Sequence, residues 1–141
     1  MGASLTPLQF QKVSITDVKL SELPYFADES ARLVVFEGRT IERTFFIKTS
    51  EKLTRGKHAH KLCDQWLVCV QGKVTVLVYD GKNEDLIVLE DPTKILYIPA
   101  GIWASQEYET ASILMVFADL IFDEGDYIRS WKEFLMLKGI L

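Results

Sequence analysis

Short apolar runs, separated by turn-forming residues, recur through most of the chain. In several of these runs apolar and polar side chains alternate, which is the pattern of a strand with one buried face. Turns rich in glycine, asparagine, aspartate or proline recur roughly every 8–12 residues, and many short strands spaced in this way are typical of a β-sandwich or β-barrel. The predicted strands are residues 33–36, 41–48, 65–71, 74–79, 86–89, 95–98 and 112–118.

The period of the pattern changes after the last strong strand. Trp131, Phe134, Leu135 and Lys138 are spaced i, i+3, i+4 and i+7, and all but the lysine are apolar. This spacing predicts a short amphipathic helix within a C-terminal helical tail at residues 126–138.

The N-terminal segment, residues 1–25, has only a weak apolar pattern and is predicted to be an arm. Small barrels have exposed sheet edges that pairing with another chain can cover. We therefore expect residues 8–15 to pair with the second subunit of a homodimer. No internal repeat or low-complexity linker divides the sequence, so residues 1–141 are expected to form one domain.

Composition and charge exclude several classes of protein. Of the 141 residues, 48% are hydrophobic, as expected of a globular protein and not of a disordered one. The net charge of −4 and the isoelectric point near 5.2 do not resemble a nucleic-acid-binding protein. There is neither a membrane-length apolar run nor a signal peptide, so we expect a cytoplasmic protein with no membrane partner. Cys63 and Cys69 are then expected to be reduced thiols.

The candidate chemistry is concentrated at His58 and His60, the two histidines of the chain. Alternate side chains of an extended segment lie on one face, so both imidazoles can reach one small volume. Gln65 follows after a short gap, and Gly72 ends the next strand. This spacing resembles the first sequence signature of the cupin β-barrels. In those proteins the position of Gln65 usually holds a glutamate that binds a metal together with the histidines.

The second cupin signature is present in outline, as a turn at Pro99, Ala100 and Gly101 between two strand-like runs. Metal-binding cupins place a third histidine where this chain has Ala104. A catalytic zinc or iron ion needs about three protein ligands, whereas Gln65 is a poor ligand and Ala104 is none. We therefore expect no metal and no other cofactor.

Arg43 is a candidate anion contact. It shares the more apolar face of its predicted strand with Ile41, Phe45 and Ile47. A buried arginine is costly unless it is paired or bound to a ligand. The alternative is that Arg43 lies at a strand end and keeps its guanidinium in solvent.

Four sequence motifs, taken together, point to one family within the cupins. They are Arg-Gly-x-His-Ala-His-Lys at 55–61, Gln-x-Leu-Val-Cys-x-x-Gly at 65–72, Ile-Pro-Ala-x-Ile-Trp at 98–103 and Asp-x-Gly-Asp-Tyr-Ile-Arg at 123–129. With these motifs the chain resembles the dTDP-4-keto-6-deoxyglucose 3,4-ketoisomerases, or WxcM-like cupins, roughly over residues 33–137.

The resemblance implies an all-β, RmlC-like cupin fold, an antiparallel β-barrel or jelly roll with a short C-terminal helix. It also implies a metal-free homodimer that acts on a dTDP-linked keto sugar in the bacterial cytoplasm. The product would enter deoxyamino-sugar biosynthesis for surface polysaccharide.

The reaction that the resemblance implies moves the ketone from C4 to C3 of the sugar through an enediol. His58 would be the base that removes the C3 proton, since an imidazole ordinarily has a pKa of about 6.5. His60 would hold sugar oxygens or relay protons, and Arg55 would stabilise the developing enolate oxygen. The residues expected to bind substrate or nucleotide are Arg43, Arg55, Gln65, Trp103 and Arg129.

The chain departs from the family pattern at three positions. Phe45 stands where the family has a catalytic tyrosine, and Ala104 where it has a histidine or arginine. Ser30 lies near the position of a tyrosine or arginine on an early strand. Two further hypotheses therefore stay beside the isomerase. One is a non-catalytic nucleotide-sugar-binding cupin that acts as a partner or regulatory subunit, and the other is a metal-dependent cupin oxygenase.

Overall fold

A computed structural model describes residues 5–141 of the protein. Along them run twelve strands and two helices, with short 3-10 turns before the first and the last strand. The helices are α1 (Pro7–Lys12) and α2 (Trp131–Leu137). The strands are β1 (Lys19–Glu22), β2 (Tyr25–Ala27), β3 (Arg32–Val34), β4 (Arg43–Lys48), β5 (Leu53–His60), β6 (Gln65–Gln71), β7 (Val74–Tyr79), β8 (Glu84–Leu89), β9 (Lys94–Ile98), β10 (Trp103–Tyr108), β11 (Ile113–Ala118) and β12 (Tyr127–Ile128).

The strands form two five-stranded sheets and one small hairpin. The order is β1-β9-β6-β11-β4 in the first sheet and β12-β5-β10-β7-β8 in the second, while β2 pairs with β3. All of these strand pairs are antiparallel. The prediction of an all-β antiparallel fold with a short C-terminal helix is confirmed.

The main core follows from the alternation of apolar residues along the strands. Every second residue of β7 and of β11 is buried, so each strand turns one apolar face inward. Val76 and Val78 of β7 and Leu114 and Val116 of β11 belong to one buried cluster. Truncating a buried leucine to alanine in such a core typically costs about 2–5 kcal/mol. The core therefore supplies firm walls for a site built between the sheets.

Strand β5 is absent from the set of predicted strands. Residues 49–57 read as a polar loop, whereas β5 begins at Leu53 and pairs with β10 on one side and β12 on the other. The prediction failed because the first half of β5 carries polar side chains on both faces, so its sequence lacks the alternation of a half-buried strand.

The N-terminal segment folds as a helix, which corrects the prediction that residues 8–15 pair with another subunit as a strand. Thr6 and Gln9 form a capping box, in which each side chain accepts the backbone N–H of the other. Phe10 of α1 is buried against Phe134 of α2, with ring centroids 6.3 Å apart. Strand β1 then pairs with β9 of the same chain. The first four residues of the predicted arm lie outside the described residues, and exchange of the arm between subunits stays a prediction.

Only the second half of the predicted C-terminal tail is helical. The stretch Glu124–Asp126 is a 3-10 turn, and β12 follows it and pairs with β5. Helix α2 begins after Ser130, whose hydroxyl accepts the backbone N–H of Glu133. This path lays β12 beside the strand that carries the two histidines. Neither of the described helices is long and apolar enough to cross a membrane.

Candidate active site

A cavity of about 460 Å³ lies between the sheets, with walls from β4, β5, β6, β10, β11 and the segment around β12. Its charged lining is cationic, because Arg43, Arg55 and Arg129 reach it and no carboxylate of residues 5–141 lines it. Such a lining suits an anionic ligand, above all one with phosphate groups. The uncharged lining residues are Phe45, Phe46, Ile47, Gly56, His58, Gln65, Leu67, Gln106, Leu114, Val116, Phe122 and Tyr127.

A bulge in β5 brings Arg55 and His58 into the same cavity. His58 pairs with Ala104, and Gly56 pairs with the next residue of β10, so Lys57 has no partner across the ladder. The extra residue shifts the alternation of side chains by one position. Arg55 and His58 are three positions apart and would lie on opposite faces of a regular strand. Because of the bulge, both face the cavity.

The bulge depends on Gly56. Gly56 and Lys57 both have positive φ angles, of 89° and 65°. A Cβ atom on Gly56 would lie 2.7 Å from the side-chain oxygen of Gln106 and 3.1 Å from the carbonyl oxygen of Ala104. Glycine alone combines this backbone conformation with so close an approach of β10.

His58 is the one imidazole that lines the cavity within residues 5–141. Burial, followed by the charge of the neighbouring His60, lowers the pKa of His58 from 6.5 to about 4. Its Nδ1 atom is buried without a hydrogen-bond partner in the described part of the chain. At neutral pH His58 is an uncharged base. This lowered pKa corrects the expectation of an ordinary imidazole.

His60 is held by a carboxylate behind the cavity. Its Nδ1 atom lies 2.9 Å from Asp126 Oδ2, and both side chains are buried. Burial opposes ionisation of Asp126, but its hydrogen bonds with His60 and the Leu62 backbone N–H outweigh burial and lower the pKa of Asp126. The ionised carboxylate accepts the Nδ1 proton, which fixes the tautomer of His60.

The two imidazoles converge as predicted. Their ring centroids are 5.0 Å apart and nearly perpendicular. His60, however, is buried and is not among the cavity-lining residues. The structure therefore does not place His60 against sugar oxygens. Instead, the His60 ring packs against the ring of His58 outside the cavity.

The cavity does not assemble the ligand set of a metal-binding cupin. Gln65 lines it where a glutamate would bind, and Ala104 lies opposite His58 where a third histidine would stand. His60, Cys63 and Asp126 do have ligand atoms within 4.8 Å of one another. These atoms are, however, already engaged in hydrogen bonds, His60 Nδ1 with Asp126 Oδ2 and the Cys63 thiol with the Asp64 carbonyl oxygen. These residues do not fit a resident metal.

Arg43 projects from β4 and contacts Tyr127. Its Nη1 atom lies 3.3 Å from the Tyr127 hydroxyl oxygen, and its guanidinium carbon lies 4.5 Å from the centroid of the Phe45 ring. The Tyr127 ring packs against His58 and His60 at centroid distances of 5.0 and 4.5 Å. Arg43 is thus half-buried in the site and does not extend into solvent from a strand end.

The other two arginines differ in their partners. Arg129 donates two hydrogen bonds to Glu124, of 2.7 and 3.0 Å, and its guanidinium carbon lies 4.3 Å from the centroid of the Tyr127 ring. Arg55 forms no ion pair within residues 5–141. The same holds for Arg43, so Arg43 and Arg55 are more available to an incoming anion than Arg129.

The structure does not bring Trp103 to the cavity. Its ring packs at 5.2 Å from Trp131 and 5.6 Å from Phe134, under α2 on the outer face of β10. Its predicted role in nucleotide binding is thus corrected to packing. Ser30 is also remote, in an exposed turn where its hydroxyl donates to Asp28.

The sequence reading missed Asp126, Tyr127 and Gln106 as site residues. The first two lie in the Asp-x-Gly-Asp-Tyr-Ile-Arg motif, which is far from the histidines along the chain. The signal was present, because an acidic residue and a phenol in one motif are groups that can orient a base or move a proton. Gln106 follows from the pairing of β10 with Arg55 of β5, which the sequence did not reveal.

Comparisons with known proteins agree with this geometry. The family model described as FdtA, WxcM-like, C-terminal, matches residues 16–139. The chain is 35% identical over 97 residues to a TDP-4-oxo-6-deoxy-alpha-D-glucose-3,4-oxoisomerase of Aneurinibacillus thermoaerophilus, covering 67% of this chain and 70% of that protein.

Solved structures give the same picture. QdtA, a sugar 3,4-ketoisomerase from Thermoanaerobacterium thermosaccharolyticum solved with TDP, superimposes with a TM-score of 0.84 at 30% identity, over 89% of this chain and 97% of its own. WlaRB, a TDP-quinovose 3,4-ketoisomerase from Campylobacter jejuni, gives 0.81 at 31% identity, over 86% and 99%. Sugar epimerases at 14% identity, RmlC among them, share the fold alone and confirm the RmlC-like cupin prediction. The chain belongs to the WxcM-like family of cupins.

Proposed function

We propose that the protein is a 3,4-ketoisomerase of a TDP-linked 4-keto-6-deoxyhexose. The observation that carries the proposal is an uncharged His58 inside a cavity whose charged lining consists of arginines. A base that is free at neutral pH and a cationic pocket are what proton abstraction from an anionic keto sugar needs. The relatives named above act on TDP sugars by the same reaction.

His58 removes the proton from C3 of the sugar. The electrons of that C–H bond form the C3–C4 double bond of an enediol, and the proton returns at C4 as the ketone forms at C3. The low pKa of His58 belongs to the cavity without substrate. The negative charge of a bound diphosphate and of the developing enediolate raises the proton affinity of the imidazole at the moment when it must accept a proton.

The diphosphate binds to the arginines. Arg55 has no carboxylate partner within residues 5–141, and Arg43 donates one N–H to the hydroxyl of Tyr127, which lines the cavity. A guanidinium makes two parallel hydrogen bonds to phosphate oxygens, which fixes the orientation of the ligand as well as its affinity. Arg129 contributes positive charge while Glu124 holds it in place.

A homodimer belongs to the same proposal. The β2–β3 hairpin carries Tyr25, Phe26 and Leu33, each more than half exposed. An apolar patch on a two-stranded hairpin is costly in water and fits burial by a second subunit. Sedimentation at micromolar concentration tests this, and a single monomeric species would contradict it.

The second candidate function is a nucleotide-sugar-binding protein without turnover. Phe45 lines the cavity without a hydroxyl, and Ala104 places only a methyl group opposite His58. The arginines that would bind the ligand are present. Phe45 and Ala104, however, lack the phenol and the basic side chain that the family has at these positions and that could exchange protons. The candidates separate by turnover and not by affinity.

The experiment is incubation with TDP-4-keto-6-deoxyglucose in heavy water, followed by NMR of the sugar at C3 and C4. The isomerase predicts a C3 ketone, with deuterium at C4 to the extent that the imidazole proton exchanges with solvent before it is returned. His58→Asn should abolish both signals and keep TDP affinity, since asparagine fills the space but cannot take a proton at neutral pH. TDP binding by the parent protein without any turnover or exchange would refute the isomerase and support the binding protein.

A further inference from the structure

The proposed isomerisation requires two kinds of proton transfer, and the inference below rests on that function. One proton moves between carbon atoms, from C3 to C4. Another must leave the C3 hydroxyl, while the former carbonyl oxygen at C4 gains one. His58 is occupied with the carbon-bound proton, so the oxygen atoms need a second acid–base group.

The cavity offers few candidates for that group. Arginine does not release its proton in proteins, and the amides of Gln65 and Gln106 neither gain nor lose one near neutral pH. Among the lining residues within 5–141, these exclusions leave His58 and the phenol of Tyr127.

The contacts of Tyr127 aim its proton at the cavity. A guanidinium has only hydrogen-bond donors, so in the 3.3 Å contact Arg43 donates and the phenol oxygen accepts. The O–H of Tyr127 is therefore not used in that bond, and no acceptor within residues 5–141 takes it, so it is available to a ligand. The same guanidinium stabilises negative charge on the oxygen when the proton leaves.

The Tyr127 ring lies next to His58, the proposed base. Tyr127 packs against His58 at a centroid distance of 5.0 Å, and it pairs with His60 across the β12–β5 ladder. A sugar ring in contact with His58 is thus within reach of the Tyr127 hydroxyl at adjacent atoms.

We propose that Tyr127 is the second catalytic residue and exchanges protons with the two sugar oxygens. As His58 takes the C3 proton and the C3–C4 double bond forms, Tyr127 gives its proton to the oxygen at C4. The Tyr127 phenolate then takes the proton of the C3 hydroxyl, the C3 carbonyl forms, and His58 returns its proton to C4. Both residues recover their initial state, and the reaction consumes no oxidant or reductant.

The test compares Tyr127→Phe with the parent and with Tyr79→Phe. Tyr79 lies outside the cavity against Trp131, so its variant loses the same phenolic oxygen away from the site. Turnover is measured by NMR of the keto sugar, and TDP affinity by calorimetry. Tyr127→Phe should lose roughly 10²–10⁴-fold in turnover and keep TDP affinity within about twofold, whereas Tyr79→Phe should match the parent.

A rescue variant separates chemistry from packing. The Phe45 ring centroid lies 4.5 Å from the guanidinium carbon of Arg43, and Phe45 lines the same cavity. Adding Phe45→Tyr to Tyr127→Phe should restore part of the turnover, because it returns a phenol to the site.

The outcomes decide between the claims. An active parent whose Tyr127→Phe variant turns over within about threefold of it refutes the acid–base role and leaves the isomerase standing. Parallel loss of turnover and TDP affinity without rescue by Phe45→Tyr assigns Tyr127 to packing and also refutes the role. An inactive parent that binds TDP refutes the isomerase itself, and the role falls with it.

Discussion

The lowered pKa of His58 predicts a specific dependence of stability on pH. In the folded protein the imidazole has a pKa of about 4, against 6.5 for the ordinary group. Between these two values the unfolded chain binds a proton at residue 58 and the folded protein does not. Stability must therefore fall as pH falls from 6.5 to 4, and the contribution is constant outside this window.

The size of this effect follows from the interval between the two pKa values. It amounts to about 3 kcal/mol, since one pKa unit corresponds to about 1.4 kcal/mol. Replacement of His58 by asparagine removes the titrating group while it keeps side-chain size. The free energy of unfolding of His58→Asn, minus that of the parent, should increase by about 3 kcal/mol when pH is lowered from 7 to 4.

The assay is urea unfolding of both proteins at several pH values, and the difference cancels the titration of groups that do not interact with His58. NMR titration of the imidazole protons gives the pKa of His58 directly. A stability difference that stays constant within about 1 kcal/mol would refute the reasoning, because it would mean that burial does not suppress protonation of His58. The pH dependence of kcat/KM reports the pKa of His58 in the enzyme without bound substrate. The value of kcat/KM should therefore not fall through loss of the base until well below pH 6.

Three further predictions follow from the site. Gly56→Ala should destabilise the protein by about 1–3 kcal/mol in urea unfolding, because its Cβ atom would meet the Ala104 carbonyl oxygen at a strained φ angle. Arg55→Lys and Arg43→Lys should each weaken TDP binding about tenfold in calorimetry, since lysine cannot make the two-pronged contact, and unchanged affinity in both would remove the diphosphate assignment. Elemental analysis of the purified protein should find no stoichiometric iron, zinc or manganese, and chelation should leave turnover unchanged. The reason is that Gln65, a poor ligand, and Ala104, which is none, occupy two positions at which metal-binding cupins have ligands.

The fold was predictable because most strands bury one face. Alternation along β7 and β11 records that burial directly, and the predicted limits of these strands agree with the structure to within a residue. The failures share one cause. Residues of β5 and of the N-terminal segment take their structure from partners distant in the sequence: β10 and β12 for the strand, and α2 for the helix around Phe10. Local pattern does not contain that information.

The site was predictable only where side chains alternate regularly between the two faces of a strand. His58 and Gln65, which the sequence analysis names as candidate site residues, both line the cavity. Arg55 joins them through a bulge, which shifts parity and which the glycine at position 56 indicated only in retrospect. Trp103 was misplaced, because it neighbours Ala104 in the sequence and therefore points to the opposite face of β10.

The charge of the cavity shows why composition alone was a poor guide to the ligand. The whole chain carries a net charge of −4, yet the charged groups that line the cavity are arginines, with the carboxylates of residues 5–141 kept outside it. Such segregation repels anions from most of the surface and concentrates positive potential in one concave region. Asp126 is also kept out of the cavity. It is buried beside His60, and its carboxylate accepts the Nδ1 proton of that imidazole. The cavity can therefore bind a diphosphate while the base inside it remains uncharged, and proton abstraction at neutral pH depends on that combination.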